Sequence, residues 1–199
     1  MTNEDLKNVL GNLDIYLLDQ IVKGRYNQRD KILDAGCGTG RNMYWFYNNQ
    51  FNIWAVDKDL YQIRLVKQIY PGLKDQYIVS EIDKLPYANE MFNHIICNAV
   101  LHFAKNEQHF YSMFGEMLRV IKVHGSIFIR MTSNIGIEDL VISEGKGMYS
   151  IPDGTQRFLM TRELLENLME RLSLTFLEPI KTTNVHDVRS MTTLVLQKN

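Results

Sequence analysis

Three glycines at alternate positions, Gly36, Gly38 and Gly40, stand between two aspartates, Asp34 and Asp57. This spacing has a chemical use. Glycine lets a ligand approach the backbone closely, and a tight turn from a strand into a helix leaves N–H groups free to meet it. A nucleotide-like molecule suits such a turn. The pattern is G-x-G-x-G and not the G-x-G-x-x-G of dinucleotide enzymes. A carboxylate at Asp34 would repel a pyrophosphate but suits the ammonium group of an amino-acid moiety. Asp57 falls about twenty residues after the turn, where a carboxylate can accept hydrogen bonds from ribose hydroxyls.

The elements that must position these residues are legible around them. Ile32 and Leu33 read as a short buried strand before the turn, and Met43-Tyr44-Trp45-Phe46-Tyr47 supplies a helix face after it. Ile53-Trp54-Ala55-Val56-Asp57 reads as a second strand ending in its acid. Gln76-Tyr77-Ile78-Val79-Ser80 is a third, and the apolar run Ile95-Ile96-Cys97 belongs to a fourth that is buried on both faces.

Asp34-Ala35-Gly36-Cys37-Gly38-Thr39-Gly40, with Asp57 downstream, resembles the class I S-adenosylmethionine-dependent methyltransferases. Their cofactor carries a sulfonium, an amino-acid tail and a ribose without phosphate. The resemblance implies S-adenosyl-L-methionine as cofactor and an α/β, Rossmann-like fold. That fold is a seven-stranded, mostly parallel sheet with an antiparallel last strand and helices on both faces. Carried over residue by residue, it places Asp34, Gly36, Cys37, Gly38, Gly40, Asp57 and Lys58 at the cofactor. Aligned on Leu85-Pro86, the family's adenine-binding acid falls on Glu81, with Ile82 beside it offering a backbone N–H; Asp83, two residues later, competes for that role. Asn98 and Ala99 fall where the backbone meets the methionine part. The motifs span roughly residues 31 to 131, and the strand order extends the resemblance to the C-terminus. Asn93 replaces the family's usual aspartate after Phe92, and Lys122-Val123-His124-Gly125 replaces Lys-Pro-Gly-Gly; both changes read as structural.

Elsewhere, Asn12 is expected to cap a helix with the stripe Leu13, Leu17, Leu18, Ile21 and Val22, stopped by Gly24. Tyr16 and Tyr26 are candidate lid contacts, because an N-terminal helix often closes over the cofactor in the family resembled. Helices follow through residues 60–69, 107–121 and 161–172, with a fifth strand at 126–131. Residues 174–185 and 191–196 read as a strand pair joined through His186-Asp187-Val188. Residues 132–160 are polar and turn-rich, and a loop this long is more often functional than idle. Within them, 148–151 and 155–158 flank Pro152-Asp153-Gly154 and can pair as a hairpin, hinged at Gly145 and Gly147, with Tyr149, Arg157 and Phe158 reaching a substrate. The chain is thus expected to be one domain, 1–199, with residues 1–30 as a helical cap and 132–160 as a substrate-side loop.

Composition narrows the function. With 199 residues, 45% hydrophobic, there is enough chain for one sizeable core. A net charge of -1 disfavours a broad nucleic-acid surface. Two cysteines, Cys37 and Cys97, are too few for a zinc site and suit free thiols in a reducing compartment, so no metal is expected. The acidic N-terminus lacks a signal-like segment and no apolar run approaches a membrane span, which points to a cytoplasmic protein with no membrane partner.

Methyl transfer from a sulfonium needs alignment and exclusion of water more than a dedicated catalytic group. Where the acceptor must lose a proton, histidine is the usual base. Of the five histidines, only His102 falls just beyond the C-terminal end of the fourth strand, where open α/β sheets place their ligands. It is the candidate catalytic residue, against the alternative of a histidine that merely packs on the loop. Asn98-Ala99-Val100-Leu101 is not the Asn/Asp-Pro-Pro-aromatic motif of amino-methylating nucleic-acid enzymes, and no Pro-Cys nucleophile is present. A small-molecule acceptor is therefore expected. Two rivals share the pocket: a cofactor-binding regulatory module without turnover, and a nicotinamide-dependent oxidoreductase, which Asp34 and the glycine spacing disfavour.

Overall fold

The computed structural model describes residues 2–199. Two short helices open the chain, α1 (Asn3–Leu10) and α2 (Ile15–Val22). A reciprocal capping box between Thr2 and Asp5 starts α1, which the sequence reading leaves unassigned. The α2 cap is Asp14 and not Asn12: its Oδ1 accepts the Tyr16 N–H at 2.9 Å.

Strand and helix then alternate: β1 (Lys31–Ala35), α3 (Met43–Asn48), β2 (Asn52–Asp57), α4 (Leu60–Ile69), β3 (Tyr77–Val79), β4 (Phe92–Asn98), α5 (Glu107–Val120) and β5 (Ile121–Ser133). Asp59 caps α4 and Asn106 caps α5 through their side-chain oxygens. A small antiparallel sheet follows, β6 (Ile142–Gly145), β7 (Met148–Ser150) and β8 (Gln156–Phe158), then α6 (Arg162–Arg171), capped by Thr161. The chain closes with β9 (Leu174–Phe176), β10 (Lys181–Val185) and β11 (Arg189–Lys198).

The main sheet runs β10-β11-β5-β4-β1-β2-β3, with β9 also paired to β11. Pairs among β1 to β5 are parallel, and every pair that includes β11 is antiparallel. This is the Rossmann-like α/β arrangement expected, with one difference. The single strand anticipated over 174–185 is broken in two, giving eight strands. Pro179 lies in the break, and a residue without an N–H interrupts a hydrogen-bond ladder.

Alternate strand residues feed two cores, one on each face of the sheet. Leu33, Ile95, Ile127, Ile129 and Leu194 pack against Phe110, Phe114 and Met117 of α5 and Leu164 and Leu168 of α6. Ile32, Ile53, Ala55, Ile96 and Phe128 pack against Leu17, Phe46, Ile63 and Val66 of α2 to α4. Because β1 to β5 are parallel, their C-terminal ends share one edge of the sheet.

At the opposite edge, β5 pairs Ile121 with Phe92 and Ser126 with His94, so residues 122–125 bulge opposite Asn93. A Cβ on Gly125 would lie 2.8 Å from the Asn93 carbonyl oxygen, which keeps this turn's glycine obligatory although its proline is absent. Asn93 Oδ1 accepts hydrogen bonds from the Lys31 N–H and Lys122 Nζ. Among the described residues, no helix is long and apolar enough to cross a membrane.

Candidate functional site

The glycine turn sits on the shared C-terminal edge. Gly36, Gly38 and Gly40 all take positive φ, +84°, +51° and +78°. A Cβ on Gly36 would lie 2.4 Å from Val100 Cγ2, and one on Gly40 would lie 2.8 Å from the Tyr70 ring, whereas a Cβ on Gly38 meets nothing within 4 Å. Gly36 and Gly40 are thus held by packing, and Gly38 borders open space. Cys37 is buried, and burial pushes its thiol well above the usual range, so it is inert. The following helix, α3, has only six residues, and most of the turn's order comes from elsewhere.

Asp57 supplies much of that order. Its Oδ2 accepts the Gly38 N–H at 2.8 Å, and its Oδ1 accepts the Asp59 N–H at 2.9 Å. Each carboxylate oxygen keeps a lone pair for a further donor. The sequence reading treats Asp57 as a ligand contact; the structure adds that it braces the turn.

Asp34 is 1% exposed, and its Oδ2 has no hydrogen-bond partner. Burial, and then the neighbouring Asp57 charge, lift its pKa to about 7, against a smaller opposing pull from Arg41. Asn98, at the end of β4, is likewise buried with both side-chain atoms unpartnered. Buried polar atoms are nearly always paired, so three orphans beside one turn call for a ligand. A cationic amino-acid group fits: its ammonium answers the carboxylate, and Asn98 can donate and accept at once. Ala99 follows with φ +62°, a strained setting for a residue with a Cβ, fixed by its N–H bond to the Arg130 oxygen at 2.7 Å.

These residues border a groove of about 360 Å³. Of the residues that the resemblance places at the cofactor, Gly36, Gly38, Asp57, Lys58, Glu81, Ile82 and Ala99 line it, and Asp34, Cys37, Gly40 and Asn98 do not. Glu81 is exposed on the groove wall, while Asp83 turns to His109, 3.6 Å away. His109, Met113 and Gln62 also line the groove and were missed, since they sit on helices read for their apolar stripes alone.

A second cavity of about 350 Å³ adjoins the first, and Ala99 and Phe103 line both. His102 lies here, in the single turn Leu101–Phe103 after β4. It is buried, and its Nδ1 accepts the Thr132 N–H at 3.3 Å with Thr132 Oγ1 at 3.1 Å. Desolvation, then the charges of Arg157 and Arg189, lower its pKa to about 4. A neutral ring whose Nδ1 accepts must carry its proton on Nε2. In this geometry Nε2 of His102 is left as a hydrogen-bond donor.

The hairpin anticipated at 148–158 forms, with Met148 opposite Phe158 and Ser150 opposite Gln156. Two of its details differ. Phe158 is buried and stacks on Phe110 at 4.9 Å, so it belongs to the core instead of reaching for a substrate. Gly147 lies under that ring, 2.2 Å from Phe158 Cε2 for a would-be Cβ, so it is a packing point and not a free hinge. Tyr149 borders a separate cleft with Glu107 and Asn167; Arg157 lines the second cavity. In the N-terminal helical segment, Tyr26 is no lid contact: it is buried edge-on against Phe46 and His94. Tyr16 stacks on Arg130, its ring 5.1 Å from the guanidinium carbon, and its hydroxyl bonds Thr183.

Residues 33–129 match the family described as "Methyltransferase domain". A curated relative, an uncharacterized methyltransferase, YodH, of Bacillus subtilis, is 31% identical over 109 residues, which is 54% of this chain and 42% of the relative. The chain therefore spans about two fifths of that relative's length in the match. Among solved structures, the PH0226 protein of Pyrococcus horikoshii superposes with a TM-score of 0.72 over 100% of both chains at 17% identity. A S-adenosylmethionine-dependent methyltransferase of Methanosarcina mazei superposes with a TM-score of 0.72 over 89% of this chain and 96% of its own, also at 17% identity. At such identities the structural likeness speaks to fold.

Proposed function

We propose that the chain, whose residues 33–129 match a methyltransferase domain, is a class I S-adenosylmethionine-dependent methyltransferase that transfers a methyl group to a small-molecule acceptor by in-line displacement. The observation that carries this reading is the orphaned, buried Asp34 Oδ2 beside a glycine turn braced by Asp57. The groove is acidic where the cofactor is cationic.

When bound, S-adenosylmethionine supplies an activated methyl on a sulfonium with an excellent leaving group. Asp34 and Asn98 hold the amino-acid tail. Asp57 accepts the ribose hydroxyls, and Gly38 leaves them room. Glu81, with the Ile82 N–H, takes the adenine; Asp83 is engaged with His109 and comes second. Lys58 closes the rim. Ala99 and Phe103, common to groove and cavity, mark the place where methyl and acceptor meet. His102 donates from Nε2 to the acceptor and orients it, a positioning role in place of proton abstraction. The free, buried thiols of Cys37 and Cys97 support a reducing compartment, hence the cytoplasm.

The test is calorimetric titration of S-adenosylhomocysteine into wild type and Asp57→Ala, joined to a turnover assay on thiol, phenol and amine acceptors. Each charge-assisted hydrogen bond that Asp57 accepts is worth about 1.5–3 kcal/mol. The folded variant should bind at least tenfold more weakly, and wild type should release S-adenosylhomocysteine with an acceptor present. Unchanged affinity in the variant refutes the site. Binding without turnover on any acceptor would favour a regulatory module.

A further inference from the structure

The cavity beside the groove differs from it in charge. Arg130, Arg157 and Arg189 line it from β5, β8 and β11, and His102 and Asp153 line it too. Asp14, the carboxylate behind Arg130 at 3.4 Å, is shared with Arg41 at 3.8 Å. Asp153 Oδ1 accepts from the Thr155 N–H and hydroxyl at 2.9 and 2.6 Å. Arg157 lies over the Phe103 ring at 5.1 Å and donates to the Gln156 carbonyl. Neither Arg157 nor Arg189 has an ion-pair partner among the described residues, and Arg130 Nε is buried without a hydrogen bond. His186 and Asp187, in the β10–β11 turn nearby, are exposed to solvent.

Three guanidiniums, Arg130, Arg157 and Arg189, therefore line the cavity beside one carboxylate, Asp153, in a chain whose net charge is -1. Such an excess is local, and like charges held together around a cavity repel unless something neutralises them. Guanidinium forks suit carboxylate and phosphate oxygens, which they grip bidentately. Phe103, Val185 and Met191, with Ala99, give the rest of the lining apolar surface beside Thr132, which suits a hydrocarbon or aromatic body.

We infer that the methyl acceptor is a small organic oxyanion, a carboxylate or a phosphate monoester, whose charged group sits between Arg157 and Arg189 while its nucleophilic end lies at Ala99 and Phe103. Arg130, held by Asp14 and Tyr16, forms the inner wall. This rests on the methyltransferase reading above, and the experiment separates the two.

The protein, saturated with S-adenosylhomocysteine in an amine-sulfonate buffer, is titrated with benzoate, phenyl phosphate and benzamide. The melting temperature and calorimetric affinity are read at low and moderate sodium chloride. The same titrations are run on the Arg157→Gln/Arg189→Gln double variant. The expected result is that at least one of the anions binds five or more times tighter than benzamide. That preference should shrink with salt and vanish in the double variant, whose affinity for S-adenosylhomocysteine stays within twofold of wild type. The ratio of benzoate to phenyl phosphate affinity tells carboxylate from phosphate. Benzamide binding as well as both anions, or an anion preference that survives in the double variant, overturns the inference and leaves the methyltransferase reading intact. Failure of wild type to bind S-adenosylhomocysteine overturns both.

Discussion

The two adjoining cavities are built in opposite ways. The cofactor groove is made of backbone and carboxylates: three glycines at positive φ, Asp57 gripping the Gly38 N–H, Asp34 orphaned beneath. The acceptor cavity is made of long cationic side chains that converge from separate segments of the chain. One is acidic and the other basic, and they touch at Ala99 and Phe103. On the proposals above, a cationic donor and an anionic acceptor would each meet its own counter-charge. It also separates the part that needs a fixed backbone from the part that only needs charge in the right place.

Glycine substitutions give the largest expected effect on that contrast. Gly36→Ala drives a Cβ into Val100 and forces a left-handed backbone on alanine. Overpacking costs about 1–3 kcal/mol and left-handed φ about 1–2 kcal/mol. Together these should lower the melting temperature by roughly 4–20 °C, with cofactor binding lost. Gly38→Ala incurs the left-handed cost of about 1–2 kcal/mol but meets no protein atom within 4 Å, so it should lose less stability than Gly36→Ala while still weakening cofactor binding. Thermal melts paired with S-adenosylhomocysteine titrations distinguish the two. Equal stability losses would mean that the open space at Gly38 is not ligand space.

His102 gives the smaller effect. Glutamine preserves a hydrogen-bond donor but removes any imidazole base. As a donor, His102→Gln should keep kcat/KM within about tenfold of wild type and leave the pH profile unmoved near neutrality. A base would lose roughly a hundredfold or more. A drop of that size, with a shifted pH profile, would restore the catalytic role that its place after β4 first suggests.

The same contrast explains what the sequence makes legible. The groove follows from a contiguous motif, because a glycine turn after a buried strand is a local structure, and because Asp57 ends the neighbouring strand. The strand positions follow from periodicity as far as β5, and the sheet arrangement from the resemblance that the motif carries. The acceptor cavity has no such signature. Arg130 stands at a strand's C-terminal end, where the rule that flagged His102 applies equally, yet inside an apolar run it reads as an interruption. Arg157 and Arg189 meet only through the long fold of the chain. Asp14 and Tyr16 read as an amphipathic helix start, and nothing local shows that they secure Arg130. Phe158 and Tyr26 fail in the reverse direction: aromatic residues near loops look available, and tertiary packing claims them. His109 hides on a helix whose apolar stripe dominates its pattern.

Asp34 offers the most direct measurement of the central claim, that the groove holds a cationic amino-acid ligand. With its pKa raised to about 7, the empty protein binds a proton that the unfolded chain releases near pH 4. Its stability therefore falls as pH rises from about 4 to about 7. An ammonium group favours the charged carboxylate, so ligand binding must expel that proton. Calorimetry of S-adenosylhomocysteine binding, run between pH 6 and pH 8 in buffers of different ionisation enthalpy, reads this directly. The affinity should rise by about tenfold over that span with release of up to one proton, given a linkage of one group per pH unit below its pKa. Asp34→Asn should flatten both. Affinity that does not change with pH, or a pH dependence that persists in Asp34→Asn, would contradict the account.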